Sequence, residues 1–186
     1  MTSPAAIRGR EVRQRLLVAA AELVPERGWT AVSTRVLAER AGVTPSVVHY
    51  HFPSVRALLN EAVLNSLRQV IDGVDTLLDN TKAPADLVDG LLASVDQYTG
   101  TDRSSLLFVE SYLAATRDEE LRREIADLID GLRRRLGGWM ELHGVSAPHE
   151  TAAVVLAAVD GRLLHRGLGA AADRERVSAV LRRLVN

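Results

Sequence analysis

Apolar residues recur at three- and four-residue spacing along almost the whole chain. No alternating run of β-branched residues long enough for a strand interrupts them, so the pattern predicts an all-α protein of about nine helices. The first helix runs from about Arg8 to Glu26, with Val12, Leu16, Ala19, Ala20 and Leu23 on one stripe and arginines opposite. Gly28 ends it, and Trp29 is expected to pack into the core just beyond. Ser33 is placed to cap a short second helix that turns Val36 and Leu37 inward and runs to Ala41, where Gly42 can supply a left-handed stop. Thr44 then caps a third helix that starts on Pro45, where a missing N–H costs nothing, and ends near Phe52 and Pro53.

Ser54 begins a long fourth helix, with Leu58, Ala62, Val63, Leu67, Val70, Ile71, Val74 and Leu78 as its buried face, and Asn80 to Pro84 breaks it. A fifth helix follows from Ala85 to Tyr98, a sixth from Asp102 to Thr116, and a seventh from Asp118 to His143 carrying Leu121, Ile125, Leu128, Leu132, Leu136, Trp139 and Met140 on one face. The eighth, His149 to Leu168, is so rich in Ala, Val and Leu that it must be covered on most sides, and a ninth runs from Asp173 to Leu184. The expected organisation is a three-helix domain over residues 1–53 and a helical bundle over 54–186.

Composition narrows the chemistry. With 47% hydrophobic residues in 186, the chain can bury a core. The absence of cysteine excludes disulfides, thiolate metal sites and cysteine nucleophiles. No apolar run is long enough to span a bilayer and Met1–Arg10 lacks the stretch a signal peptide needs, so a soluble, cytoplasmic protein without membrane partners is expected. The net charge of −1 hides an asymmetry: through Arg56 there are eight arginines against four glutamates, a net of +4, which leaves 15 basic and 20 acidic residues, a net of −5, to the remainder. Positive charge is concentrated in the segment that would face phosphate.

Two short helices joined through Ala41-Gly42-Val43-Thr44 have the form of a helix-turn-helix, whose second helix can enter a major groove. Val48 and Phe52, four residues apart, can face inward, which leaves Ser46, Val47, His49 and Tyr50 pointing outward. Ala38-Glu39-Arg40-Ala41-Gly42-Val43-Thr44 followed by His49-Tyr50-His51-Phe52-Pro53-Ser54 resembles the tetracycline-repressor (TetR) family of one-component regulators, and the likeness is specific from Arg13 to Ala62. It implies that Thr34 and Arg35 reach phosphate or a base edge, that Thr44, Pro45, Ser46 and Val47 lie over the DNA, that His49 takes the place of the family's usual aromatic residue, and that Tyr50 and His51 touch backbone phosphate. The family's frequent lysine at the start of the fourth helix is Val55 here, so either Arg56 replaces it or one phosphate contact is missing.

The same resemblance implies a homodimer bound to a palindromic operator on double-stranded DNA, with release by a small apolar or amphipathic ligand in the C-terminal part. Val95, Tyr98, Phe108, Glu110, Tyr112 and Trp139 are the candidate ligand residues, Glu110 being either exposed or aimed at a ligand. Leu156, Val159, Asp160, Gly161, Leu163, Leu164, Val177 and Leu181, on the eighth and ninth helices, are the candidate dimer residues. No catalytic residue, metal or cofactor is expected; His49 and His51 are two apart on a helix and do not share a face. The rival readings are a helical-bundle enzyme using Glu110, Asp160, His143 and His165, and an adaptor that binds only protein.

Overall fold

Local capping and turn chemistry set most of the element boundaries. In the computed structural model, residues 3–186 are described, the Ala5 side chain aside; Met1 and Thr2, at the head of the expected first domain, lie outside the described residues. The helices are α1 (Pro4–Arg27), α2 (Thr34–Ala41), α3 (Pro45–His51), α4 (Val55–Asn80), α5 (Pro84–Asp96), α6 (Arg103–Ala115), α7 (Glu119–Leu142), α8 (Pro148–Gly167) and α9 (Arg174–Arg182), with a 3-10 turn at Trp29–Ala31. The described residues contain no strand, and none of their helices is long and apolar enough to cross a membrane. The all-α expectation is met. The first helix starts four residues earlier than its apolar stripe suggested.

The described residues form two compact units. One comprises residues 3–67 and 106–122, the other 68–105 and 123–186. In the first, Leu16, Leu23, Leu37, Val48, Phe52 and Leu58 form a core that also takes Leu107 from α6, with Trp29 partly buried against it. Each such leucine taken fully out of water stabilises the fold by about 1.5–3 kcal/mol. Stability here rests on packing. Val70, expected on the buried face of α4, is exposed, and Ile71 is half-buried.

In the second unit, Leu87, Val88, Leu91 and Leu92 of α5 pack with Leu136 and Met140 of α7, Val155 and Leu156 of α8, and Leu181 of α9. Two carboxylates on α5 tie the last two helices down. Asp96 accepts Arg162 Nε and Arg166 Nη1, each at 2.8 Å, and Asp89 accepts Ser178 Oγ and pairs with Arg182. Gly100, at φ 83°, lies against Gly167: a β-carbon on Gly100 would sit 2.1 Å from the Gly167 nitrogen, so this crossing of backbones requires glycine.

Candidate nucleic-acid interface

The turn between α2 and α3 follows the chemistry of its residues. Ser33 Oγ accepts the Val36 N–H at 3.4 Å and starts α2, and Gly42, at φ 66°, ends it in the left-handed region with its N–H on the carbonyls of Ala38 and Glu39. Thr44 occupies the cap position of α3 and Pro45 the first turn, as expected, but the Thr44 hydroxyl does not cap: it bonds Ser46 Oγ at 2.9 Å. Val48 and Phe52 are buried, which fixes the rotation of α3 about its axis.

That rotation turns Ser46, His49 and Tyr50 to solvent, Tyr50 being 84% exposed, while Val47 is half-buried at the margin. Thr44 and Pro45 are exposed, and on α2 Arg35 is exposed while Thr34 is half-buried. His51 is half-buried, edge-on to the Tyr50 ring at 5.1 Å, and makes no hydrogen bond among the described residues. Apart from the His51 ring, the Tyr50 side chain stands in water on a seven-residue helix, and a groove-facing helix is where such a residue gains a partner.

The arginines of the first unit divide by partner. Arg13 forks onto Glu61 and lies 4.6 Å over the Phe52 ring, linking α1, the end of α3 and α4. Arg40 binds Glu22 at 3.0 Å and Glu26 at 2.6 Å. Arg56, the candidate replacement for the family lysine, meets Asp118 at 3.2 Å and Glu120 at 3.6 Å. Without DNA the guanidinium is thus held by two carboxylates at the start of α7, and both alternatives for the family lysine's contact stay open. Arg8, Arg10, Arg15, Arg27 and Arg35 are exposed and unpaired among the described residues, so they supply the open positive charge.

Asp118 is the residue with most to do at this corner. Its carboxylate accepts Asn60 Nδ2 at 3.2 Å and caps α7 through the N–H groups of Glu120 and Leu121. Burial pushes its carboxyl up, but the Asn60 bond, the capping N–H groups and the Arg56 charge outweigh this and leave it below the usual carboxylate range. Neither Asp118 nor Asn60, Glu61 and Glu22 was singled out from the sequence. Their tertiary partners lie 18 to 62 residues away, and no local spacing announces those contacts.

The candidate ligand residues fall in different units. Val95, Tyr98 and Trp139 belong to the second, where Val95 is buried, Tyr98 is half-buried, and Trp139 stacks on His143 with ring centres 3.7 Å apart. Phe108, Glu110 and Tyr112 belong to the first. Glu110 is neither freely exposed nor aimed at an empty space: its half-buried carboxylate accepts the Trp29 N–H at 3.0 Å. Tyr112 is exposed rather than on a buried stripe.

Of the candidate dimer residues, Leu156 and Leu181 are buried in the chain's own core, and Val159 and Val177 are half-buried and pack against it. Leu163 and Gly161 are half-buried, and Asp160 and Leu164 are exposed. The exposed apolar residues here are Val154 and Leu164 on α8, Leu168 just after it, Val180 on α9 and Leu184 after it.

Comparison with known proteins agrees with this geometry. Residues 16–62 match the family model described as bacterial regulatory proteins, tetR family, and residues 82–186 match the tetracyclin repressor-like C-terminal domain. The HTH-type transcriptional regulator BetI of Rhizobium meliloti (strain 1021) is 28% identical over 129 residues, covering 67% of this chain and 63% of that protein, so the match spans under two thirds of the relative's length. Among solved structures, SCO7518 of Streptomyces coelicolor A3(2) superposes with a TM-score of 0.77 at 26% identity, over 95% of this chain and 99% of the other. The multidrug binding protein EbrR complexed with imidazole gives 0.68 at 30% identity over 95% and 90%; its complex with malachite green gives 0.67 at 29% over 94% and 98%.

Proposed function

This chain belongs to the tetracycline-repressor family of bacterial transcriptional regulators, with a DNA-binding N-terminal part, and from that premise we propose that it is a homodimeric repressor of a palindromic operator. The observation that carries the reading is the capped α2, Gly42 and α3 arrangement, which presents Ser46, His49 and Tyr50 outward, with Val47 at the margin, beside the unpaired Arg35. Base contacts come from α3 and from Arg35, which can fork onto guanine, and phosphate contacts come from Tyr50, His51 and the open arginines of α1. In a symmetric dimer the two α3 helices enter successive major grooves about 34–36 Å apart.

The dimer seam lies on the outward faces of α8 and α9. Val154, Leu164, Leu168, Val180 and Leu184 are large apolar side chains left in water by the single chain, and Gly161 has open space where a β-carbon would point, which lets a partner helix approach. Two-fold symmetry pairs this face with its own copy.

A small apolar or amphipathic ligand in the second unit releases the operator. EbrR, a relative at 30% identity, is a multidrug binding protein that takes imidazole and malachite green, which supports a ligand of this class. The chain path supports the coupling: residues 106–122 pack within the DNA-binding unit, while the chain on either side of them belongs to the second unit. The site is a regulator's, and the protein works in the cytoplasm without a cofactor.

Selection of bound fragments from the source genome, followed by sizing of the free and DNA-bound protein, tests this reading. A palindromic consensus and a dimer per site are expected. Sequence-indifferent binding, or a monomer at micromolar concentration, would favour the enzyme or adaptor readings instead.

A further inference from the structure

Three arginines in residues 1–67 are paired to carboxylates, and they are not equivalent. Arg13 and Arg40 are each held by bidentate or double contacts, with side chains 40% and 32% exposed. Arg56 is 65% exposed and its contacts, 3.2 Å to Asp118 and 3.6 Å to Glu120, are the longest of the set. A pair of this kind contributes only about 0–1 kcal/mol, so it exchanges readily for another anion. Arg56 is in the first turn of α4, three residues beyond Pro53 and five beyond the end of α3, so its alternative anion is the phosphate backbone alongside the recognition helix.

The acceptors differ in kind from the arginine. Asp118 is nearly buried, with its side chain 11% exposed, and is fixed by Asn60 Nδ2 and by the two N–H groups it caps. It cannot follow Arg56 toward solvent. The fixed carboxylate and the exposed guanidinium therefore have the form of a latch whose solvent-facing part is Arg56.

We propose that Asp118, assisted by Glu120, withholds Arg56 from operator phosphate, so that this corner sets operator affinity from below as an intramolecular competitor of DNA. The inference rests on the operator-binding reading above. With the carboxylates neutralised, Arg56 turns to a phosphate, binding tightens, and one more counterion is released.

Asp118→Asn is the informative variant because asparagine still caps a helix and still bonds Asn60, while its charge is gone. Glu120→Gln, at an exposed position, gives the same loss of charge with no structural role to disturb. Operator affinity is measured from 50 to 300 mM salt for the full-length wild type, each variant, and each variant combined with Arg56→Gln, with Arg35→Ala as the control for operator binding itself. The expected result is binding about twofold to fivefold tighter at low salt for Asp118→Asn, with a salt slope steeper by about 0.9. Both effects disappear in the Arg56→Gln background. Unchanged or weaker binding by Asp118→Asn, or a gain that persists without Arg56 and so reports general repulsion of DNA, overturns the latch. If wild type shows no operator binding sensitive to Arg35→Ala, the operator reading fails first, and the latch falls with it.

Discussion

Asp96 at the end of α5 gathers three arginines from α8 and α9, and its neutralisation gives a measurable test. Its Oδ1 takes Arg162 and Arg166 at 2.8 Å each, and Arg174 stands 3.6 Å from Oδ2. Arg162 is only 8% exposed, and its other contact among the described residues is the Ala172 carbonyl at 2.7 Å. Removing one member of a buried pair costs about 3–5 kcal/mol. Arg166 and Arg174 can be hydrated where they stand, and asparagine retains an acceptor oxygen, so Asp96→Asn is expected to cost about 2–4 kcal/mol. At about 2–4 °C per kcal/mol for a chain of this size, Tm falls by about 5–15 °C.

Thermal and urea unfolding of the full chain at fixed protein concentration read this directly. Burial pushes the Asp96 carboxyl up, but Arg162 and Arg166 outweigh it and leave the group below its ordinary value in the fold. A depressed folded pKa means that the contribution is complete above the unfolded value, about pH 4, and is lost as pH falls through the folded one. The gap between wild type and Asp96→Asn should thus be constant from pH 8 to pH 5 and shrink only in stronger acid. A Tm within about 1 °C of wild type at pH 7, a tenth or so of the drop worked out above, would refute the role given to Asp96. A gap that closes between pH 7 and pH 5 would refute the assignment to this carboxylate.

Other positions give independent checks. Gly100→Ala forces a β-carbon onto the Gly167 backbone at a left-handed φ of 83°, and unfolding should register a loss of at least about 2–3 kcal/mol, whereas Gly138→Ala, with nothing within 4 Å, should be near neutral. Val180→Asp puts a charge on the outward face of α9; size measurement at micromolar concentration should show a monomer with unchanged helical circular dichroism, and a surviving dimer would move the seam elsewhere. Arg13→Lys keeps the charge but loses the fork onto Glu61 and most of the stacking on Phe52. It should lower the stability of the first unit by about 1 kcal/mol in native-state proteolysis, and an unchanged cleavage rate would count against that linkage.

Features legible in the sequence were those fixed within one turn of chain. Ser33, Gly42, Pro45 and Ser54 act locally, and each was placed correctly because a cap or a left-handed residue needs only its neighbours. Thr44 shows the limit even here: its hydroxyl pairs with the Ser46 hydroxyl, two residues on, instead of capping. Helical spacing identified Val177 and Leu181 as one stripe on α9 but could not say whether that stripe meets the chain's own core or another molecule; Asp89 and α5 decide it, from about ninety residues away. Glu110 was unreadable for the same reason, since a carboxylate in an apolar helix looks alike whether it meets a ligand, solvent or the N–H of Trp29, and the Asn60 and Arg56 contacts of Asp118 come from about sixty residues away. The division of the chain was hidden by α4, α6 and α7, each of which runs on through both units without a break in its pattern.

The most direct test of the central claim is operator affinity as a function of salt for wild type and Arg35→Ala on a selected fragment and on its scrambled counterpart. The structure predicts a steep salt dependence for wild type and strong preference for the intact fragment. Arg35→Ala should weaken binding by about 1–3 kcal/mol if Arg35 reads a base, or reduce the slope by about 0.9 if it holds a phosphate. Equal affinity for both fragments, unaltered by Arg35→Ala, would contradict the assignment of α2 and α3 as the operator-reading surface.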